Sequence, residues 1–184
     1  MQREEALNLM EENIKQKNLR KHCLAVEAVM AKLADYFEKD KHKWRLAGLL
    51  HDIDVEVTDA DSHTHALKAE ELLSEYDLDD DMLDAIRMHN EIATGKQRSA
   101  EFQYALAAGE TITGLIYATA LVYPDKKIEQ VKYKSVKKRM KSPAFAASVK
   151  RENIMECEKI GIPLDEFIQI SVDAMREIHE EIGL

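Results

Sequence analysis

Apolar residues recur every three or four positions along almost the whole chain, a period that belongs to helices and excludes a sheet as the organising element. The first stripe is Ala6, Leu7, Met10 and Ile14; the second runs Leu19, His22, Val26, Val29, Met30, Leu33 and Phe37. "KWRLAGLLHD" is apolar on nearly all sides, the mark of a central, buried helix. "VTDADSHT" reads as a polar loop, followed by the stripes Ala69, Leu72, Leu73, Tyr76 and Met82, Ala85, Ile86, His89. A long helix is expected from Glu101 to about Tyr123, where Pro124 ends it. Ser142–Pro143 has the form of an N-cap followed by proline at the first helical position. Gly161 and Pro163 separate that helix from a last one carrying Leu164, Phe167, Ile168, Val172, Met175, Ile178 and Ile182. Eight or nine helices, no internal repeat and no linker give an all-α, single-domain reading of residues 1–184, with helices over 142–182 packed on the rest.

Composition agrees. Only 6 glycines and 3 prolines oppose a turn-rich β architecture, and 184 residues suffice for one substantial core. "LIYATALVY" is far shorter than the roughly 18–20 apolar residues of a membrane span. The charged start "MQREEALNLM" lacks a signal-peptide core, and Cys23 and Cys157 form no spacing motif, so a cytoplasmic protein with reduced thiols is expected. A net charge of −9 repels nucleic acid and anionic membranes, so a phosphate-bearing ligand needs local positive charge or a metal.

The anomaly lies in the ionisable residues on these stripes. His22, His65 and His89 fall in register with buried positions, Glu110 sits inside "YALAAGETITGLIYATALV", and His51 and Asp52 end the buried helix "LAGLLHDIDVE". A single inward histidine is ordinarily bonded to a backbone carbonyl. Four histidines and two carboxylates on separate helices would each need a partner, whereas a shared divalent cation satisfies imidazole and carboxylate together. His179 also fits an apolar stripe but has no ligand-like company, and His42 and His63 lie in polar surroundings. "DLDDDMLDAIRM" fails as a calcium loop, because Met82 and Met88 stand where glycine and glutamate are required; its aspartates suit an N-cap and first helical turn.

The order His22, then His51–Asp52 in "GLLHDID", then a late carboxylate resembles the HD superfamily of metal-dependent phosphohydrolases. "LRKHCLAVEAVM", "WRLAGLLHDIDVE", "HALKAEELL", "AIRMHNE", "TGLIYATALVYPDKKI" and "FIQISVDAMREIHEEIGL" extend the likeness to a group of small bacterial HD proteins across nearly the whole chain. The resemblance implies that His22, His51, Asp52 and Glu110 hold a divalent metal (Fe, Mn, Co, Zn, Ni or Mg), with the site drawn mainly from residues 19–115. It implies catalytic roles for Asp52, His65 and His89: Asp52 bridging metal and water, and the two histidines holding a second ion, binding phosphate or protonating the leaving oxygen. One position departs from the family pattern: glutamate, Glu110, stands where aspartate is usual, one methylene longer and preceded by Gly109, whose cost to the helix is about 1 kcal/mol.

The expected substrate is a small phosphate ester, a nucleotide or dinucleoside polyphosphate foremost. The alternative is a metal- or nucleotide-binding regulatory module with little turnover, which the Glu110 replacement favours. Lys68 and Lys126 are the leading phosphate contacts, with Arg87 and Lys127 behind them. The basic run "KYKSVKKRMK" over 132–141 is a solvated face or an attracting rim.

Overall fold

The computed structural model describes residues 1–184 and contains helices and turns but no strand. The α-helices are α1 (Arg3–Asn13), α2 (Lys17–Tyr36), α3 (Lys41–Leu50), α4 (Leu67–Leu73), α5 (Asp80–Met88), α6 (Glu91–Thr94), α7 (Glu101–Leu121), α8 (Tyr133–Met140), α9 (Arg151–Met155), α10 (Leu164–Glu177) and α11 (His179–Ile182). Short 3₁₀ turns cover Ile128–Gln130 and Glu156–Ile160. The count exceeds the eight or nine expected because α6, α9 and α11 are single turns, too short to carry an apolar period of their own.

All major helices feed one core of 41 buried residues. At its centre is α7, whose Ala105, Leu106, Ala108, Ile112, Leu115, Ile116 and Ala120 are buried around its circumference. That makes α7, alongside α3, a central helix, apolar on most sides because neighbours cover most sides. Two glycines set how closely the others approach. A Cβ on Gly48 of α3 would lie 2.8 Å from the Val26 carbonyl oxygen of α2, so only glycine lets these backbones touch. Gly109 of α7 faces Met30 at 3.2 Å from where a Cβ would sit, so it serves close packing against α2. Asp40 caps α3 by accepting from the Lys43 amide, and Trp44 stacks on Phe102 with ring centroids 4.7 Å apart, joining α3 to α7.

Three sequence expectations are corrected. Ser142–Pro143 opens no helix: residues 143–149 form turns, and helix resumes only at Arg151. The Arg151 guanidinium explains this, donating to the carbonyls of Phe145, Ala146 and Val149 and so replacing the bonds a helix would have supplied. The last helix likewise breaks at Ile178, where the backbone leaves the helical region before α11. Asp79 precedes α5 as expected, yet its side chain makes no cap bond; Asp79 and Asp81 pair with Lys43 instead. No helix is long and apolar enough to cross a membrane.

Candidate metal centre

Five side chains from four parts of the fold meet in one place. His22 comes from the first half of α2; His51 follows the last residue of α3; Asp52 begins the turns after it; His65 precedes α4; His89 follows α5. Because α2 and α3 touch at Gly48, His22 Nε2 lies 3.2 Å from His51 Nε2. His65 Nε2 lies 3.0 Å from His89 Nε2. Asp52 sits between the two pairs: Oδ1 is 3.2 Å from His51, 3.1 Å from His65 and 3.5 Å from His89, and Oδ2 is 3.6 Å from His22. The result is two overlapping groups, His22–His51–Asp52 and Asp52–His65–His89, each with its ligand atoms within 4.8 Å of one another.

The outer nitrogens decide what those inner atoms are. His51 Nδ1 faces the Gly48 carbonyl at 2.9 Å and His89 Nδ1 faces the Ile86 carbonyl at 2.5 Å; a carbonyl only accepts, so both Nδ1 atoms carry hydrogen. The Thr113 hydroxyl donates to the Glu110 carbonyl at 2.7 Å and therefore accepts from His22 Nδ1 at 3.1 Å. His65 Nδ1 donates to Asp54 Oδ1 at 2.7 Å. In their neutral forms all four rings thus turn Nε2 lone pairs toward each other and toward a carboxylate. Acceptors facing acceptors inside a protein are repulsive unless positive charge lies between them.

The titration of the groups reflects this. Burial above all drives His51 down to about 3, helped by the charges of His22 and His89 and opposed by Asp52, so His51 is a neutral ligand-type imidazole at physiological pH. Burial also works to lower His65, but hydrogen bonds to Asp52 and Asp54 outweigh it and push His65 up to about 10. Burial works to raise Asp52, yet His51, His65, His89 and His22 hold it well below the usual carboxylate range. A proton on His65 supplies part of the positive charge the cluster lacks; a divalent cation would supply it to every member at once, in the donor set such ions prefer. The residues fit a metal.

Asp54 escaped the sequence reading. It is fully buried, orients His65 through Oδ1, and accepts from the Ala66 and Ala69 amides at 2.8 and 3.0 Å through Oδ2. Ala66, the residue before α4, has φ 79° and no side-chain oxygen, so Asp54 supplies the cap from a distance. Nothing in "HDID" separates this aspartate from a surface one, because its partners are eleven to fifteen residues further on. Asn90 was also missed; its amide donates to the carbonyls of Ser62 and His65 at 2.8 and 2.9 Å and holds the His65 turn against α5.

The cluster opens into a cavity of about 540 Å³. Glu110 lines it but joins neither ligand group; its carboxylate accepts from the Thr111 hydroxyl, and burial raises its pKa against the pull of His22 and His89. Lys68 is not on this wall; it is half-buried and paired with Glu71. Lys126 is also absent from it, lying with φ 55° in the turn after α7. Arg87 is held by Asp84 and Glu70, and Lys137 of the basic run pairs with Asp165. The lysine that does line the cavity is Lys150, beside Ser148 and Asn153, on the turn segment gathered by Arg151. His179 is half-buried against Glu129, while His42 and His63 are exposed.

A family model described as HD domain matches residues 19–141, a span that contains all five clustered residues. No curated protein and no solved structure matches the chain.

Proposed function

The chain belongs to the HD-domain family, and from that premise we propose that it is a metal-dependent phosphohydrolase acting on a small phosphate ester, a nucleotide foremost. The observation that carries this reading is the convergence of four histidine Nε2 atoms on Asp52. His22, His51 and Asp52 would hold one divalent cation, and Asp52, His65 and His89 a second, Asp52 being common to both sets. When bound, such a cation acidifies water and polarises a phosphoryl oxygen.

The protein's own groups do the rest. Asp52, kept ionised by its histidine neighbours, orients the attacking water and accepts its hydrogen bond. Asp54 and Asn90 fix His65, so that His65 and His89 meet the phosphoryl group from a set direction whenever they are not engaged with a second ion. Lys150 replaces Lys68 and Lys126 as the phosphate contact, being the lysine on the wall. In the reaction the water oxygen bonds to phosphorus as the bond from phosphorus to the ester oxygen breaks; that oxygen leaves as an alcohol on taking a proton from His65, and the proton shed by the attacking water replaces it. Glu110, on the wall of the same cavity, would become available as a further ligand on leaving Thr111.

The test is hydrolysis of p-nitrophenyl phosphate, bis-p-nitrophenyl phosphate and nucleotides by protein loaded in turn with manganese, iron, cobalt, zinc, nickel or magnesium. Turnover with at least one metal, abolished by a chelator, is expected. Metal and nucleotide binding without turnover under any of them would assign the site to a regulatory module instead.

A further inference from the structure

A second recess, of about 270 Å³, shares His22 and Gly114 with the wall of the metal cavity. The rest of it is built from α7, with Tyr117, Ala118 and Leu121 following Gly114 at helical spacing, from Ala25 and its neighbours on α2, and from Met175 of α10. No carboxylate lines it, in contrast to the metal cavity with Asp52 and Glu110. Its polar members other than His22 and Thr113 are Asn18 and Lys21 of α2 and the hydroxyl of Tyr117. Leu121 is 45% exposed, so apolar surface is left uncovered along this stretch. Gly114 lines both spaces, and a Cβ there would stand 3.4 Å from Val149, in ordinary contact.

We infer that this recess receives the organic group of the substrate, and that the group is an uncharged alkyl chain or aromatic ring. The inference rests on the phosphohydrolase reading and narrows its substrate to the ester of an apolar alcohol in place of a nucleotide, whose ester oxygen carries a polar sugar. A phosphoryl group seated between Asp52 and Lys150 is bonded to its organic part through one oxygen, so that part must lie in a space adjoining the metal cavity. The recess adjoins it at His22 and Gly114, offers carbon rather than carboxylate surface, and is larger than the roughly 150 Å³ that suffices for a benzene ring. The alcohol released by hydrolysis departs along α7, past Leu121.

The experiment compares methyl, butyl and hexyl phosphate with the metal-loaded full chain. Their alcohols are similar leaving groups, so the series reports contact with carbon rather than chemistry. We expect kcat/KM to rise about two- to fourfold for each methylene until the recess is filled. Ala118→Leu, a change on a half-buried helix face that fills the recess, is expected to flatten the series by bringing kcat/KM for hexyl phosphate down toward that for methyl phosphate. Calorimetry with methylphosphonate and hexylphosphonate, which cannot be hydrolysed, runs in parallel. If no ester turns over but hexylphosphonate binds more tightly and Ala118→Leu removes that advantage, the hydrolase reading fails and the recess stands. If chain length changes neither turnover nor phosphonate binding, or changes them equally in Ala118→Leu, the recess does not hold the substrate.

Discussion

His51 shows how much one residue owes to its surroundings. Burial makes it neutral, the Gly48 carbonyl fixes its tautomer, and the approach of α2 puts another lone pair opposite its own. Removing it should therefore remove metal binding and turnover without unfolding the helices: His51→Ala is expected to retain a helical circular-dichroism spectrum and to contain no metal by elemental analysis. Asp54→Asn tests the layer behind the ligands. It keeps the shape but weakens the hold on His65, and metal affinity is expected to fall about 10- to 100-fold, measured by competition with a chelating dye. The thiols behave oppositely. Burial, with the Glu158 charge adding to it, pushes Cys157 up to about 12, so the folded thiol stays protonated while an unfolded one ionises near 9.0. Stability associated with Cys157 is thus full below pH 9 and is lost as pH climbs toward about 12. At pH 8 a disulfide reagent should react with neither buried cysteine until the chain is unfolded.

Among the elements, the α2–α3 pair controls the site. The two helices touch backbone to backbone at Gly48, and this brings His22 and His51 to 3.2 Å. Gly48→Ala places a methyl group against the Val26 carbonyl, so the helices must separate. A loss of about 1–3 kcal/mol in urea unfolding is expected, together with weaker metal binding, although the residue touches no ligand. This contact was not legible in the sequence, where Gly48 is one small residue within an apolar run. The helices themselves were legible, because burial against a core imposes their period on the residue order, as in α2 and α10. The turn at Ser142–Pro143 was not, since its conformation depends on Arg151, and neither was the buried Arg98–Glu156 pair, whose members lie 58 residues apart. Histidines stood out because they are costly on an apolar face, and the structure brings His22, His51, His65 and His89 together with Asp52. Asp54, Asn90 and Lys150 did not stand out, because only tertiary contact gives Asp54 its place behind His65 and the other two theirs on the cavity wall.

The whole molecule is acidic, with a net charge of −9, and concentrates part of that charge around a cluster of inward-facing lone pairs. A divalent cation bound there would answer those lone pairs, and its binding should be felt throughout the fold. At a free metal concentration of about 100 times Kd, binding stabilises by about 2.7 kcal/mol. For a chain of this size that raises Tm by roughly 5–10 °C. Chelator should reverse the shift, and His51→Ala should show none of it. The most direct measurement of the central claim is a crystal structure of metal-loaded protein with anomalous data collected at the metal edge. The expected result is a peak about 2.0–2.2 Å from the Nε2 atoms of His22 and His51 and from an Asp52 oxygen. Protein that binds no ion from any of the divalent metals, or an ion located away from Asp52 with the four rings still facing one another, would contradict it.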